Sequence, residues 1–220
     1  MKKVFLLVFI LGMVSITFGQ KIGQSTIKRF SFGLDYYTDI WLKKPPDIDT
    51  RAINQGISVF GMYNYPFGES NFSIAIGVGT GFHNMYTKGQ IEDIKADTIT
   101  FIPIPDSIDY KRYKLGLSYI DIPLEFRFKT EKKFRVAVGA KFGFLIDGKT
   151  KYKGNREDGE LVIIKQKSVE NLQRFRFGPT LRVGYDWFNV FVYYQVTKVF
   201  EPGRGPDIYP LSVGLTLLPF

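Results

Sequence analysis

His83 is the only histidine of the chain and the side chain best suited to acid–base chemistry near neutral pH. A serine hydrolase built around it would need a serine hydroxyl at one ring nitrogen and a carboxylate behind the other. Ser58 and the acidic residues within 88–112 are available, but no spacing selects them. Two interpretations therefore stay open, a lipid-modifying enzyme that uses His83 and a structural polar histidine. We predict the second, and no enzymatic activity.

Other residues that carry chemistry are scarce. The chain has no cysteine, which excludes a disulfide scaffold, a thiolate zinc site and a cysteine nucleophile. The glycines within 77–81 lie in a strand pattern and lack the helix and Lys-Ser/Thr pair of a phosphate-binding loop. The acidic residues within 92–109 do not have the spacing of an EF-hand. We predict no catalytic residue, no metal site and no cofactor.

The composition is that of one folded domain with a basic balance. Of the 220 residues, 45% are hydrophobic and 16% aromatic, and the formal net charge is +9. A basic balance often indicates a nucleic-acid partner when the cations cluster on one helix or face. Here the cations are scattered through alternating segments, so we predict no nucleic-acid binding.

The first residues have the pattern of a secretory signal peptide. A short basic start, MKK, precedes the apolar run VFLLVFILGMVSITF and then GQ. This run is shorter than the ~20 residues that a membrane-spanning helix needs. We predict cleavage after Gly19, which removes 1–19, then a short segment over 20–26 and one domain over 27–220.

Beyond residue 26 the pattern is alternation of apolar and polar residues, which predicts β-strands. Several segments are longer than the average globular strand of about 5–6 residues. We predict eight strands, over 27–41, 53–65, 71–86, 113–128, 134–147, 174–187, 188–198 and 208–218. Within 113–128 the apolar positions change phase between Tyr119 and Ile120, which we interpret as a β-bulge.

The connections between these segments alternate between short and long. All short turns fall on one side and all long loops on the other, as in outer-membrane barrels with periplasmic turns and extracellular loops. We therefore predict an all-β fold, an eight-stranded antiparallel up-and-down transmembrane β-barrel.

The small residues of the polar face decide which face points inward. A soluble lipocalin-type barrel would alternate too, with its apolar face inside. A face rich in serine, alanine and glycine makes a poor solvated surface but suits a narrow eight-stranded lumen. We predict that the apolar face meets lipid. Aromatic residues near the strand ends, among them Tyr36, Trp41, Tyr185 and Trp187, are expected to form interfacial girdles.

Charged residues on the inward face are nearly balanced in sign, which predicts a paired network that plugs the lumen. Its predicted members are Arg29, Asp35, Asp39, Asp121, Glu125, Arg127, Arg135, Lys141, Asp147, Arg174, Arg176, Arg182 and Asp186. If Phe128 faces Phe134 across the KTEKK turn, Asp121 lies opposite Lys141 and pairs with it. A small solute pore is the alternative to a plugged barrel.

Three segments resemble a known family. SYIDIPLEFRFK over 118–129, FRFGPTLRVGYDWFNVFVYY over 175–194 and PLSVGLTLLPF over 210–220 are similar to strands of PorT-like outer-membrane β-barrel proteins. The resemblance covers roughly 27–220. It implies an outer-membrane barrel and, from the founding members, a link to type IX protein secretion. It implies no catalytic residues.

The segment over 149–167, KTKYKGNREDGELVIIKQK, is basic overall and is predicted on the outer surface. Outer-membrane lipid is therefore an expected partner, with lipopolysaccharide phosphates as candidate ligands, and other envelope or secretion proteins are further candidates. We predict a small integral protein of the Gram-negative outer membrane with a structural or interaction role.

Overall fold

The structure is a computed structural model, and it describes residues 29–105, 107–155 and 159–218. The predicted signal peptide over 1–19 and the segment over 20–26 lie outside the described residues. The described ranges contain no helix with the length and hydropathy needed to cross a bilayer.

Eight antiparallel strands close into an up-and-down barrel. The barrel strands and the additional ones are β1 (Phe30–Leu42), β2 (Gln55–Pro66), β3 (Phe72–Thr87), β4 (Gly89–Ile91), β5 (Phe101–Pro103), β6 (Tyr110–Lys129), β7 (Phe134–Asn155), β8 (Leu161–Lys167), β9 (Phe175–Tyr185), β10 (Phe188–Tyr194) and β11 (Tyr209–Leu217). Around the barrel the order is β1, β2, β3, β6, β7, β9, β10 and β11, which pairs with β1 again. The predicted fold class is confirmed.

The apolar face of each barrel strand points outward. Phe32 of β1, Val78 of β3 and Leu215 of β11 have exposed fractions of 67%, 60% and 57%. Soluble proteins rarely expose continuous apolar surface of this extent, so this belt is the lipid-facing surface. The polar face points inward, where Asp35 and Asp39 have exposed fractions of 0%.

Two strands continue far beyond the lipid belt. β6 has 20 residues and β7 has 22, whereas about 9–11 tilted residues cross a membrane. The upper part of β7 also pairs with β8, from Lys149 with Lys167 to Asn155 with Leu161. β6, β7 and β8 thus form a sheet that projects from the end with the long loops, and β4 and β5 form a separate small sheet.

The β-bulge beside Tyr119 lies on β7, so our interpretation of the phase change within 113–128 as a bulge on β6 was wrong. A second register shift of the β6–β7 pair lies higher on β6, at Lys111. Ser118 pairs with Asp147 and Tyr119 with Leu145, so Ile146 is the extra residue. β6 keeps its alternation, and Tyr119 and Asp121 both point inward. The apolar residues change phase because the upper lumen is filled by apolar side chains and the lower lumen by polar ones.

An apolar cap closes the extracellular end of the lumen. Its members are Trp41, Met85, Ile91, Ile94, Ile99, Leu115, Leu117, Tyr119, Val169, Leu172, Val199, Phe200 and Ile208, all buried. The cap unites strand residues with residues of the long loops, which fold over the barrel. Trp41, predicted in the interfacial girdle, belongs to this cap, whereas Tyr36, Tyr185 and Trp187 are exposed.

The β6–β7 hairpin has a register two residues away from the predicted one. Phe128 pairs with Val136 and Asp121 with Gly143, because the turn closes at Lys129 and Arg135. A shift of two residues keeps every side chain on its predicted face. It moves Lys141 away from Asp121 to a position opposite Pro123.

Candidate functional sites in the lumen and on the extracellular sheet

Arg182 of β9 holds together the lower part of the lumen network. Its Nη2 donates to Asp35 Oδ2 at 2.9 Å, its Nη1 donates to Glu125 Oε1, and its Nε donates to Thr216 Oγ1 at 3.2 Å. Arg127 Nε donates to the other carboxylate oxygen of Glu125 at 2.8 Å. Two guanidinium groups therefore neutralise two carboxylates, Asp35 and Glu125, whose exposed fractions are 0% and 1%.

Arg176 of β9 organises the upper part of the network. Its Nη2 donates to both carboxylate oxygens of Asp121, at 2.9 and 2.8 Å, and its Nη1 lies 2.8 Å from His83 Nε2. On the other side of the ring, His83 Nδ1 lies 2.7 Å from Asp39 Oδ2. Because a guanidinium can only donate, Nε2 accepts and Nδ1–H donates to Asp39.

Lys141 fills the space between these groups without an ion pair of its own within the described residues. Its ammonium lies 4.6 Å from the ring centre of Tyr193 and 4.9 Å from that of Phe191. The exposed fraction of Lys141 is 3%. Cation–π contacts with these two rings stabilise the ammonium, which forms no ion pair with its predicted partner Asp121.

Glycines make room for the Asp121–Arg176 pair. A Cβ atom at Gly143, which pairs with Asp121 across β6 and β7, would overlap Asp121 Oδ1 and lie 2.7 Å from Arg176 Nε. A Cβ atom at Gly81 would lie 2.9 Å from Asp121 Oδ2. The small residues of the inward face thus leave the space that the long charged side chains occupy.

A ladder of cations covers the outer face of the projecting sheet. Lys114 of β6 pairs with Lys151 of β7, and Lys151 pairs with Lys165 of β8. Neighbouring rungs join Arg112 with Lys153 and Lys149 with Lys167. Paired residues in an antiparallel sheet point to the same face, so like charges stand side by side across three strands.

Partial burial, with this crowding of like charges, lowers the pKa of two ladder lysines that lie beyond the membrane. Burial, followed by the charges of Arg112, Lys165 and Lys153, lowers the pKa of the Lys151 ammonium from its usual value. Burial and the charges of Arg112, Lys151 and Lys149 lower the pKa of Lys114 in the same way. Of the ladder lysines, Lys149 has a carboxylate partner in the described residues, Asp147 at 3.0 Å.

The closed barrel, the lipid belt and the filled lumen agree with a sequence comparison. The family model for the outer membrane protein β-barrel domain matches residues 14–200. The chain belongs to this family. No curated protein sequence matches this chain.

Solved structures of Ail, the attachment invasion locus protein of Yersinia pestis, are similar to this outer-membrane barrel. The complex of Ail with the heparin analogue sucrose octasulfate is 14% identical, with a TM-score of 0.40, over 86% of this chain and 97% of that one. A second Ail structure is 12% identical, with a TM-score of 0.38 and the same coverages. At this level of similarity these structures carry no information about function.

Most of the predicted charge network lies in the lumen of this outer-membrane barrel, but four members do not. Arg29 lies before β1, is exposed and donates to Tyr63 Oη at 3.1 Å. Arg174 precedes β9 and is exposed. Alternation predicts direction only within a strand, and both residues lie outside one.

Asp147 and Asp186 also lie outside the lumen, contrary to our prediction. The extra residue at Ile146 reverses the phase of β7, so Asp147 points outward with a side-chain exposed fraction of 41%. Asp186 lies in the two-residue turn between β9 and β10, with a φ angle of 52°, and pairs with Lys133 at 3.3 Å. Arg135 stays at the periplasmic mouth, where its Nη1 donates to Leu218 O at 3.1 Å.

The surroundings of His83 do not form a hydrolytic triad. The serine that contacts Asp39 is Ser212, whose Oγ donates to Asp39 Oδ1 at 2.6 Å, on the same carboxylate as His83. His83 Nε2, where a nucleophile would have to lie, faces Arg176 and Tyr37 instead. Within the described part of the chain, no group of three or more histidine, aspartate or glutamate residues could hold a metal ion.

Sequence reasoning missed the uncharged members of the network. Tyr37 binds His83 Nε2, and Ser212 and Thr216 donate to Asp39 and Asp35. Each lies an even number of residues from a charged or polar inward residue on its own strand, so the alternation would have placed them in the lumen. Their partners could not have been identified, because each belongs to a strand distant in sequence.

Proposed function

We propose that the protein is a non-catalytic component of the outer membrane that binds lipopolysaccharide phosphates with the outer face of its projecting sheet. The observation behind this proposal is the ladder of cations on that face. Lys114, Lys151 and Lys165 lie directly opposite one another on three strands. Opposed like charges destabilise a sheet, so a surface that keeps them gains most when an anion binds between them.

The position of the ladder favours a lipid phosphate over a soluble anion. Its face is the upward continuation of the lipid-facing belt, and Lys149 follows closely after the outward residue Ile146 along β7. The phosphates of outer-leaflet lipopolysaccharide lie at the boundary between the belt and the extracellular solvent. Lysine binds phosphate as a flexible point charge, which suits several phosphates on one lipid.

The lumen supports a structural role rather than a catalytic or conducting one. The apolar cap closes its outer end, and Arg176 and Arg182 cross its centre to the facing strands. His83 has an exposed fraction of 4% and lies inside the wall, away from the lipid. A lipid substrate therefore has no path to its ring, and the side chains fill the space that a solute pore needs.

The double substitution of Lys151→Gln and Lys165→Gln should have opposite effects in two environments. In detergent free of lipopolysaccharide we expect the variant to be more stable than the wild type by up to about 1 kcal/mol, because opposed like charges are removed. In vesicles that contain lipopolysaccharide we expect weaker binding and a smaller stabilisation by the lipid. Urea unfolding and lipopolysaccharide co-sedimentation measure the two effects.

Lys132→Gln is the matched control, since Lys132 is an exposed cation in the turn at the opposite end of the barrel. It should change neither quantity. Lipopolysaccharide binding by the double variant equal to that of the wild type would contradict the proposal. NMR titration should also show that the pKa of Lys151 is lower than usual without lipid. This pKa should rise when lipopolysaccharide binds.

The sequence supports a cleaved signal peptide and a link to protein secretion. We infer that residues 1–19 act as a cleaved signal peptide and that the barrel is PorT-like, with a role tied to type IX secretion. The pattern of the first residues and the three segments similar to PorT-like strands support these inferences.

Deletion of the gene should impair export of type IX cargo proteins, measured in the culture medium. Normal export in the deletion strain would contradict the link to type IX secretion and would leave only the general role in the envelope.

A further inference from the structure

A cavity of about 420 Å³ opens at the periplasmic mouth of the barrel, below the lower part of the network. Arg127, Arg135 and Arg182 line it, and Glu125 is the one carboxylate among its described lining residues. Glu125 already receives hydrogen bonds from Arg182 and Arg127. The cavity therefore has an excess of positive charge that its own wall does not neutralise.

Two hydrogen-bond donors in this wall lack partners within the described residues. Asn189 of β10 has an exposed fraction of 3%, and its Nδ2 is buried without an acceptor. Arg135 Nε is likewise buried without an acceptor. Buried donors without partners cost free energy in a folded protein. Both unsatisfied groups are N–H donors, which an oxyanion would satisfy.

Part of the remaining wall is apolar, and Ser31, Asn64, Ser73 and the cations Arg29 and Lys129 contribute polar groups to it. Phe128, Val136, Ala137 and Leu218 line the same cavity. Its volume falls in the range of small-molecule sites, about 300–1,000 Å³, which combine apolar walls with a few placed polar groups. An inorganic anion would leave this apolar surface unused, whereas an anionic group on an acyl chain would contact both parts of the wall.

We propose that this cavity binds an oxyanion carried on a single apolar chain, entering from the periplasmic side. A carboxylate of a fatty acid and a phosphate monoester share this chemistry. Arg135 and Asn189 bind the oxyanion, and the apolar wall binds the chain. The site lies at the opposite end of the barrel from the lysine ladder and does not depend on the lipopolysaccharide proposal.

The test uses the mature full-length barrel in lipid nanodiscs, titrated with decanoate, decyl phosphate, decanol and inorganic phosphate. NMR signals of the Arg135 Nε–H and the Asn189 side-chain amide report on the site itself, which separates binding there from partition into lipid. We expect decanoate, decyl phosphate or both to shift the two signals. The carboxylate and phosphate arms identify the favoured head group.

Arg135→Met should weaken this binding at least about tenfold, because a charged hydrogen bond is lost. Asn189→Ala should weaken binding by a smaller factor. Lys132 is a cation in the adjacent turn, outside the cavity, so Lys132→Met should leave binding unchanged. A mobility shift on boiling verifies that each variant is folded. If neither decanoate nor decyl phosphate shifted the signals, the proposal would be overturned. Binding of decanol or inorganic phosphate as tight as that of the favoured amphiphilic anion would also overturn it.

Discussion

Arg182→Met is expected to destabilise the barrel more than any other single substitution in the lumen, by on the order of 3–5 kcal/mol. Arg182 is the shared partner of Asp35 and Glu125, whose exposed fractions are 0% and 1%. Without it, Asp35 keeps Thr216 and Glu125 keeps Arg127. The two carboxylates then lose a positively charged partner while they remain almost fully buried.

Equilibrium unfolding in urea, followed by the fluorescence of Trp41 and Trp187, measures this loss. Arg204→Met is the control, because Arg204 is half exposed in a loop, where it donates to Asp97 O at 3.2 Å and lies 3.8 Å from the Asp97 carboxylate. Exposed pairs of this kind contribute little, so the control should stay within about 0.5 kcal/mol of the wild type. Adding Glu125→Gln to Arg182→Met should recover part of the loss.

Arg182→Lys separates charge from geometry. A lysine restores the positive charge but cannot donate to Asp35, Glu125 and Thr216 from one planar group. We expect an intermediate loss of stability. If Arg182→Met were as stable as Arg204→Met, the lumen charges would not act as a paired network.

Asp121→Ala is the second large expected effect, also on the order of 3–5 kcal/mol. The substitution removes both acceptor oxygens of the bidentate pair and leaves Arg176 buried, with His83 Nε2 as its remaining acceptor among the described residues. Stacking of the guanidinium on Tyr119, 3.7 Å from the ring centre, continues but does not neutralise the charge. The same unfolding assay measures the effect.

Asp147→Ala is the matched control for Asp121→Ala. Both residues are aspartates of the β6–β7 hairpin, but Asp147 lies on the outer face beyond the bulge and pairs with the exposed Lys149. Its removal should cost no more than about 0.5 kcal/mol. The double variant Asp121→Ala with Arg176→Met should be more stable than Asp121→Ala alone. Equal effects of Asp121→Ala and Asp147→Ala would show that the buried Asp121–Arg176 pair contributes no more to stability than an exposed pair.

The alternation of residue types by itself determined the fold class, the eight barrel strands and the direction of most side chains. It placed Asp35, Asp39, Asp121 and Glu125 in the lumen and the phenylalanines of β1 and β3 on the lipid side, as the structure does. The physical reason is the period of two in a strand, which makes direction a local property of the chain. The short turns and long loops then set the topology.

Only the tertiary structure decided which charges meet. Asp121 pairs with Arg176, 55 residues away along the chain, and not with Lys141 of the neighbouring strand. The turn register, the bulge at Ile146 and the loops that supply the apolar cap are set by packing among distant segments. A period of two determines the face on which a side chain lies, but a partner across the lumen depends on barrel closure, because closure brings strands distant in sequence to opposite walls.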